Sequence, residues 1–132
     1  MQPTHQGSCL CGAIHYQLSA PLKALSHCHC TQCQKAHGAA FASYASVARS
    51  ALLIDRGGHL LATYASSPTV ARQFCSQCGS TLFWSNSGGQ FADWVSVAVA
   101  TLDTPLEAHK AKHLWVESRP QWHHTTELAQ QP

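Results

Sequence analysis

Charged side chains are scarce. Asp, Glu, Lys and Arg together make up 11% of the 132 residues, against about 25% in an ordinary soluble domain. Ser, Thr, Gln and His must therefore wet much of the surface. Eight basic against six acidic residues leave a formal net charge of +2, and like charges nowhere form a run that could track a phosphate backbone. This speaks against nucleic acid as a partner. Long apolar runs are missing too: nothing approaches the roughly 18 residues that a membrane-spanning helix needs. The opening stretch, Met1-Gln2-Pro3-Thr4-His5-Gln6-Gly7, has neither the basic start nor the apolar centre of a secretory signal. The expectation is a soluble, cytoplasmic protein with no membrane partner. No internal repeat or low-complexity segment interrupts the chain. It reads as one domain over residues 1–132, with a core at about residues 7–122 and a polar C-terminal tail.

Against that background seven cysteines stand out. A reducing compartment disfavours disulfides, and an odd count cannot pair completely within one chain, so metal binding is the favoured use. The cysteines fall into three groups: Cys9-x-Cys11, Cys28-x-Cys30-x-x-Cys33 and Cys75-x-x-Cys78. Gly12 follows the first pair and Gly79 the last, and glycine there lets the backbone turn sharply around a metal. Cys9, Cys11, Cys75 and Cys78 thus read as one four-thiolate site of the structural zinc type. Buried or reactive free thiols are the alternative. Cys28, Cys30 and Cys33 remain as a triad, one ligand short of a closed tetrahedral site. The missing ligand decides its character, because catalytic zinc keeps a position open and structural zinc does not. His37, one helical turn after Cys33, could close it, as could His27 or His29. Otherwise water or a substrate thiol takes the corner, an arrangement suited to holding a thiolate and aiming it at an electrophile.

The segments between the cysteines carry strand signals. Residues 13–18 (AIHYQL), 40–47 (AFASYASV), 59–64, 69–74, 80–84 (STLFW) and 94–101 (WVSVAVAT) have the apolar, β-branched or alternating character of strands. A last short strand is expected at 113–116. Leu25 to Cys30 is predicted to be extended, which would put Cys28 and Cys30 on one face and His27 and His29 on the other. Thr31 and Gln34 fit a capping box and Gly38 a helix end, so Gln32 to His37 is predicted as a two-turn helix. Cys33 would then sit in its first turn, where backbone N–H groups favour thiolate. A helical turn is expected at 49–55, and Asn86-Ser87-Gly88-Gly89 is the clearest turn. The fold class is mainly β: antiparallel sheets with one or two short helices. Trp84, Trp94, Trp115 and Trp122 read as core or rim aromatics, and His15, His59, His109, His123 and His124 are assigned no role.

The order of these motifs resembles the glutathione-dependent formaldehyde-activating enzyme family, which includes relatives of centromere protein V. The likeness lies in Gly7-Ser8-Cys9-Leu10-Cys11-Gly12, in Cys28-His29-Cys30-Thr31-Gln32-Cys33, and in the run Arg72 to Ser80 around Cys75 and Cys78. His113-Leu114-Trp115-Val116-Glu117-Ser118 is similar to the family's C-terminal signature. The resemblance implies a zinc-stabilised β-tent of stacked antiparallel sheets with two zinc ions per chain. In it Cys9, Cys11, Cys75 and Cys78 would be the structural ligands, and Cys28, Cys30 and Cys33 the catalytic ones. It also implies addition of the glutathione thiol to formaldehyde, formally a carbon–sulfur lyase reaction run in reverse. Glutathione carries two carboxylates, so Lys35, Arg49 and Arg72 are candidate substrate contacts, each with solvated surface charge as the plainer reading.

Three functions remain open on the sequence: a carbon–sulfur enzyme acting on a thiol and a small aldehyde, a noncatalytic zinc module that binds a protein, and a thiol redox or metal sensor. Low charge and abundant alanine are compatible with a homodimer. Zinc binding in small domains contributes about 10–16 kcal/mol in apparent terms, comparable with the whole stability of a domain. Cys78→Ser is therefore expected to unfold or aggregate the protein, and a soluble variant that melts cooperatively would contradict the four-thiolate assignment.

Overall fold

The computed structural model describes residues 3–107 and 110–123. His109, His124 and most of the expected polar tail lie outside the described residues. Ten strands, one α-helix and four short 3-10 turns make up the rest, which bears out a mainly β fold. The strands are β1 (His5–Ser8), β2 (His15–Leu18), β3 (Lys23–Cys28), β4 (Ala42–Ala48) and β5 (Leu52–Arg56), then β6 (Leu61–Ala65), β7 (Val70–Cys75), β8 (Thr81–Asn86), β9 (Trp94–Ala98) and β10 (Lys112–Leu114). The helix α1 spans Thr31–His37. Among the described residues no helix is long and apolar enough to cross a membrane.

Two sheets form. The smaller has the order β1-β2-β5 and the larger β10-β3-β4-β9-β8-β7-β6. All pairs are antiparallel except β10 with β3, which is parallel and sets Leu114 opposite Cys28. Alternation along β2 and β9 sends one set of side chains inward: Tyr16 and Leu18 are fully buried, as are Val97 and its neighbour on β8, Phe83. Tyr16 meets Phe83 edge to face at 5.1 Å between ring centroids. Each of these large side chains contributes about 1.5–3 kcal/mol through burial. The Tyr16 hydroxyl is satisfied by Thr101 Oγ1 at 2.7 Å.

Several boundaries differ from the sequence expectation, each for a tertiary reason. β1 has no apolar pattern; backbone pairing with β2 makes it a strand. Only Arg49–Ala51 of the expected 49–55 turn is helical, because residues 52–56 pair with β2 as β5. His59 lies in a 3-10 turn that precedes β6, and β9 gives way to another at Val99–Thr101. The 113–116 strand comes one residue early and is followed by a 3-10 turn at Val116–Ser118.

Gly57 joins β5 to β6 where no other residue fits. Its φ is +76°, and a Cβ there would overlap the Ala13 carbonyl oxygen. Gly57→Ala combines left-handed strain with a backbone clash, and it is expected to lower unfolding stability by about 2–4 kcal/mol. Chemical denaturation checks this, and a loss below about 1 kcal/mol would contradict the close approach.

Candidate metal centres and active site

The first centre is built from two turns that the fold brings together. The chain leaves β1, passes Cys9 and Cys11, and enters β2. Cys75 closes β7, and Cys78 lies in the turn before β8. Gly12 at φ +77° and Gly79 at φ +81° take the left-handed conformation expected after each thiol pair. Their N–H groups return to the carbonyls of Cys9 at 3.0 Å and Cys75 at 2.8 Å. All four sulfurs lie within 4.8 Å of one another. Cys9 Sγ is 3.6 Å from Cys11 Sγ, and Cys11 Sγ is 3.9 Å from Cys75 Sγ. A tetrahedron with metal–sulfur bonds of about 2.3 Å has edges of about 3.8 Å, so the donor set fits zinc. The Ile14 N–H donates to Cys9 Sγ at 3.3 Å and the Gln77 amide to Cys11 Sγ at 3.4 Å. The Ser80 hydroxyl and N–H beside Cys78 hold its thiol down at about 5.

The second centre is local. Cys28 ends β3, Cys30 caps α1, and Cys33 lies in its first turn, with the three sulfurs within 4.8 Å of one another. The cap falls one residue earlier than predicted: Cys30 Sγ accepts the Cys33 N–H at 3.3 Å. Gln34 makes no capping box. Its amide donates instead to the carbonyls of His29 at 2.7 Å and Ser118 at 2.8 Å. Gly38, at φ +58°, ends the helix as expected.

The electrostatics revise which thiol ionises first. Cys33 is 4% exposed, and burial together with its two neighbouring thiols pushes it up to about 12. Burial opposes ionisation of Cys30 as well, but the Cys33 N–H and the adjacent thiols outweigh it and lower Cys30. The helix start therefore favours thiolate at its cap, Cys30, rather than at Cys33.

The imidazoles beside the triad are engaged elsewhere. His37 Nε2 meets the Tyr44 hydroxyl at 2.8 Å. His27 and His29 point to the opposite face, as alternation predicted. His27 Nδ1 meets Ser43 Oγ at 2.7 Å, and His29 Nε2 meets His113 Nδ1 at 3.0 Å. Among the described residues no imidazole or carboxylate joins the three thiols in one ligand group.

A cavity of about 520 Å³ opens beside the triad. Cys28, Cys30 and Cys33 line it, and so do Tyr44, Trp84 and Trp115. Arg72 reaches it from β7, with Nη1 donating to Cys33 Sγ at 3.9 Å and Nη2 to Gln32 Oε1 at 3.4 Å. Of the three candidate cations it alone lines this cavity. Lys35 is on the exposed side of α1. Arg49 sits beyond the far end of β4, about 20 Å along the strand from the pairing of Ala42 with Cys28, and its guanidinium donates to the Ala92 carbonyl. Sequence reasoning gave Tyr44 no role in the site. Its signal was a single large polar aromatic within the small-residue run Ala42–Ala48.

The sequence profile described as "Glutathione-dependent formaldehyde-activating enzyme" matches residues 4–118. The chain belongs to that family. It is 31% identical over 88 residues to an uncharacterized lyase of Schizosaccharomyces pombe, a match covering 67% of this chain and 62% of that protein. The chain thus aligns with under two-thirds of that relative's length. Its fold is similar to the crystal structure of a Rhodobacter sphaeroides protein, with a TM-score of 0.65 at 24% identity over 82% of this chain and 98% of the other.

Serine is as good a helix cap as a thiol but a poor zinc ligand. Cys30→Ser is therefore expected to lose about one metal equivalent while keeping the α1 cap and a cooperative melt within a few degrees of wild type. Metal analysis beside thermal denaturation tests this, and full metal retention would contradict a triad site.

Proposed function

We propose that the protein is a zinc-dependent carbon–sulfur lyase-type enzyme that joins glutathione or a related thiol to formaldehyde or another small aldehyde, giving S-hydroxymethylglutathione in the first case. The observation that carries this reading is the triad itself: three converging thiols with no fourth protein ligand among the described residues, opening on a cavity large enough for a small ligand. Family membership and the lyase name of the fission-yeast relative support it. Cys28, Cys30 and Cys33 would be the catalytic metal's ligands, and Cys9, Cys11, Cys75 and Cys78 those of a structural zinc. Zinc held by Cys28, Cys30 and Cys33 would supply positive charge and a position able to take an incoming thiol, favouring its thiolate form.

The chain's own groups then orient the substrates. The Arg72 guanidinium is placed to pair with a glutathione carboxylate, and Lys35 is the remaining candidate for the second. Trp84, Trp115 and Tyr44 surround the reacting atoms with apolar surface that strengthens these charge contacts. The sulfur lone pair forms the carbon–sulfur bond, the carbonyl π pair moves to oxygen, and the proton lost by the thiol is balanced by one gained at that oxygen. No oxidant or reductant is needed. Seven free thiols suit a reducing compartment such as the cytoplasm.

NMR exchange between formaldehyde, glutathione and their adduct tests the reading. Wild type is expected to accelerate it and Cys30→Ser to abolish the gain. No acceleration by the metal-loaded wild type would sink the formaldehyde assignment. Arg72→Gln is expected to raise the KM for glutathione by about 10–100-fold, the equivalent of one charge-assisted hydrogen bond, with a smaller change in kcat.

A further inference from the structure

The aldehyde oxygen needs a hydrogen-bond donor as it becomes a hydroxyl, and the cavity wall contains one that the reading above leaves unused. Tyr44 stands on β4, packed with Cys33, Ala42 and Ala98 and touched by Cys28, Cys30 and Trp84. It is 7% exposed, yet it lines the triad cavity. Among the described residues its hydroxyl makes one hydrogen bond, to His37 Nε2 at 2.8 Å. The Arg72 guanidinium is already shared among Cys33, Gln32 and Ser66. A hydroxyl has one donor and two acceptor sites. When the imidazole N–H occupies an acceptor site, the phenolic O–H is left free to donate to a ligand in the cavity that Tyr44 lines. His37 also lines a second cleft, of about 490 Å³, which Tyr44 does not line. The imidazole thus joins the phenol to a separate face of the molecule.

We propose that the Tyr44 hydroxyl, oriented by His37, donates the hydrogen bond that receives the aldehyde oxygen and then holds the hydroxyl of the thiol adduct. The inference rests on the thiol–aldehyde reading. It makes Tyr44 a catalytic residue and His37 a positioning residue, and it gives the cavity a preference for thioethers bearing a hydroxyl. A phenol in water ionises only near pH 10, so a tyrosine hydroxyl is ordinarily a neutral donor through the physiological range. A donor aimed where negative charge develops is worth about 10²–10³-fold in rate when removed.

Equilibrium binding separates this from a purely packing role. The probes are S-(2-hydroxyethyl)glutathione and its apolar isostere S-propylglutathione, titrated calorimetrically into the metal-loaded protein. Wild type is expected to bind the hydroxyl-bearing thioether about tenfold more tightly, the equivalent of one hydrogen bond. Tyr44→Phe should bring the two affinities within twofold while leaving S-propylglutathione binding and metal content unchanged. It should also lower kcat for adduct exchange without raising the KM for glutathione. His37→Ala should lose most of the preference, and His37→Gln, whose amide can reproduce the Nε2–H, should keep it. Equal binding of the two thioethers by wild type, or a preference that survives in Tyr44→Phe, overturns the role of Tyr44 and leaves the enzyme reading intact. Should Tyr44→Phe fail to fold, the His37 pair decides: a preference retained in His37→Ala overturns the proposal. Failure of wild type both to bind either thioether and to accelerate exchange overturns the thiol–aldehyde reading, and this inference with it.

Discussion

The meeting of Cys9 and Cys11 with Cys75 and Cys78 is the contact on which the fold most depends. It joins residues 64 positions apart, closing a long loop whose entropy a small core alone would have to overcome. Cys9 and Cys75 are themselves part of the main core, alongside Tyr16 and Phe83. They fix the small sheet, at the end of β1, against the large one, at the end of β7. Unneutralised, two thiolates at about 4 Å repel by roughly 4 kcal/mol in a protein-like dielectric. Four sulfurs this close therefore favour a bound cation, and the short β1 strand gains an anchor its own sequence could not provide.

The two sulfur clusters differ in how they are built, and their expected roles follow from that difference. The four-sulfur cluster is non-local: losing it frees the chain ends of two sheets. The triad comes from one strand end and the helix that follows, with the Cys30 cap and the Gly38 terminus fixing the seven residues between them in place. Local hydrogen bonds hold it, so ligand exchange there need not open the core. The shape of the cavity, by contrast, comes from afar. β10 pairs in parallel with β3, the Leu114 carbonyl accepts the His29 N–H at 2.8 Å, and Gln34 ties down Ser118. These contacts carry Trp115, at φ +56°, to the cavity wall. A non-glycine residue in that region stores backbone strain that its surroundings must hold.

The local part of this architecture was legible in advance. The partition of seven cysteines, the left-handed glycines at 12 and 79, the helix ending at Gly38 and the opposed faces of thiols and imidazoles all follow from spacing and alternation. The Thr31 capping box did not form, because the Cys30 sulfur was the better-placed acceptor. Arg49 and Arg72 looked equivalent along the chain, yet register sends one beyond the far end of β4 and the other to Cys33. β1 and β5 carry almost no periodic signal, since backbone pairing with β2 rather than side-chain patterning makes them strands.

Sequence alone determined which thiols belong together, because ligand spacing and turn chemistry are local properties. It also determined the mainly β class, because strand patterning repeats every two residues. Tertiary structure decided that no imidazole among the described residues joins the triad, which of the candidate cations faces it and which side chains share its cavity. Those outcomes depend on where His37 finds a partner, how far Arg72 reaches across the sheet and which strand receives β10. The last two join residues far apart in the chain, and His37 meets Tyr44 only because the chain turns back after α1 to run along β4; packing alone brings these groups together.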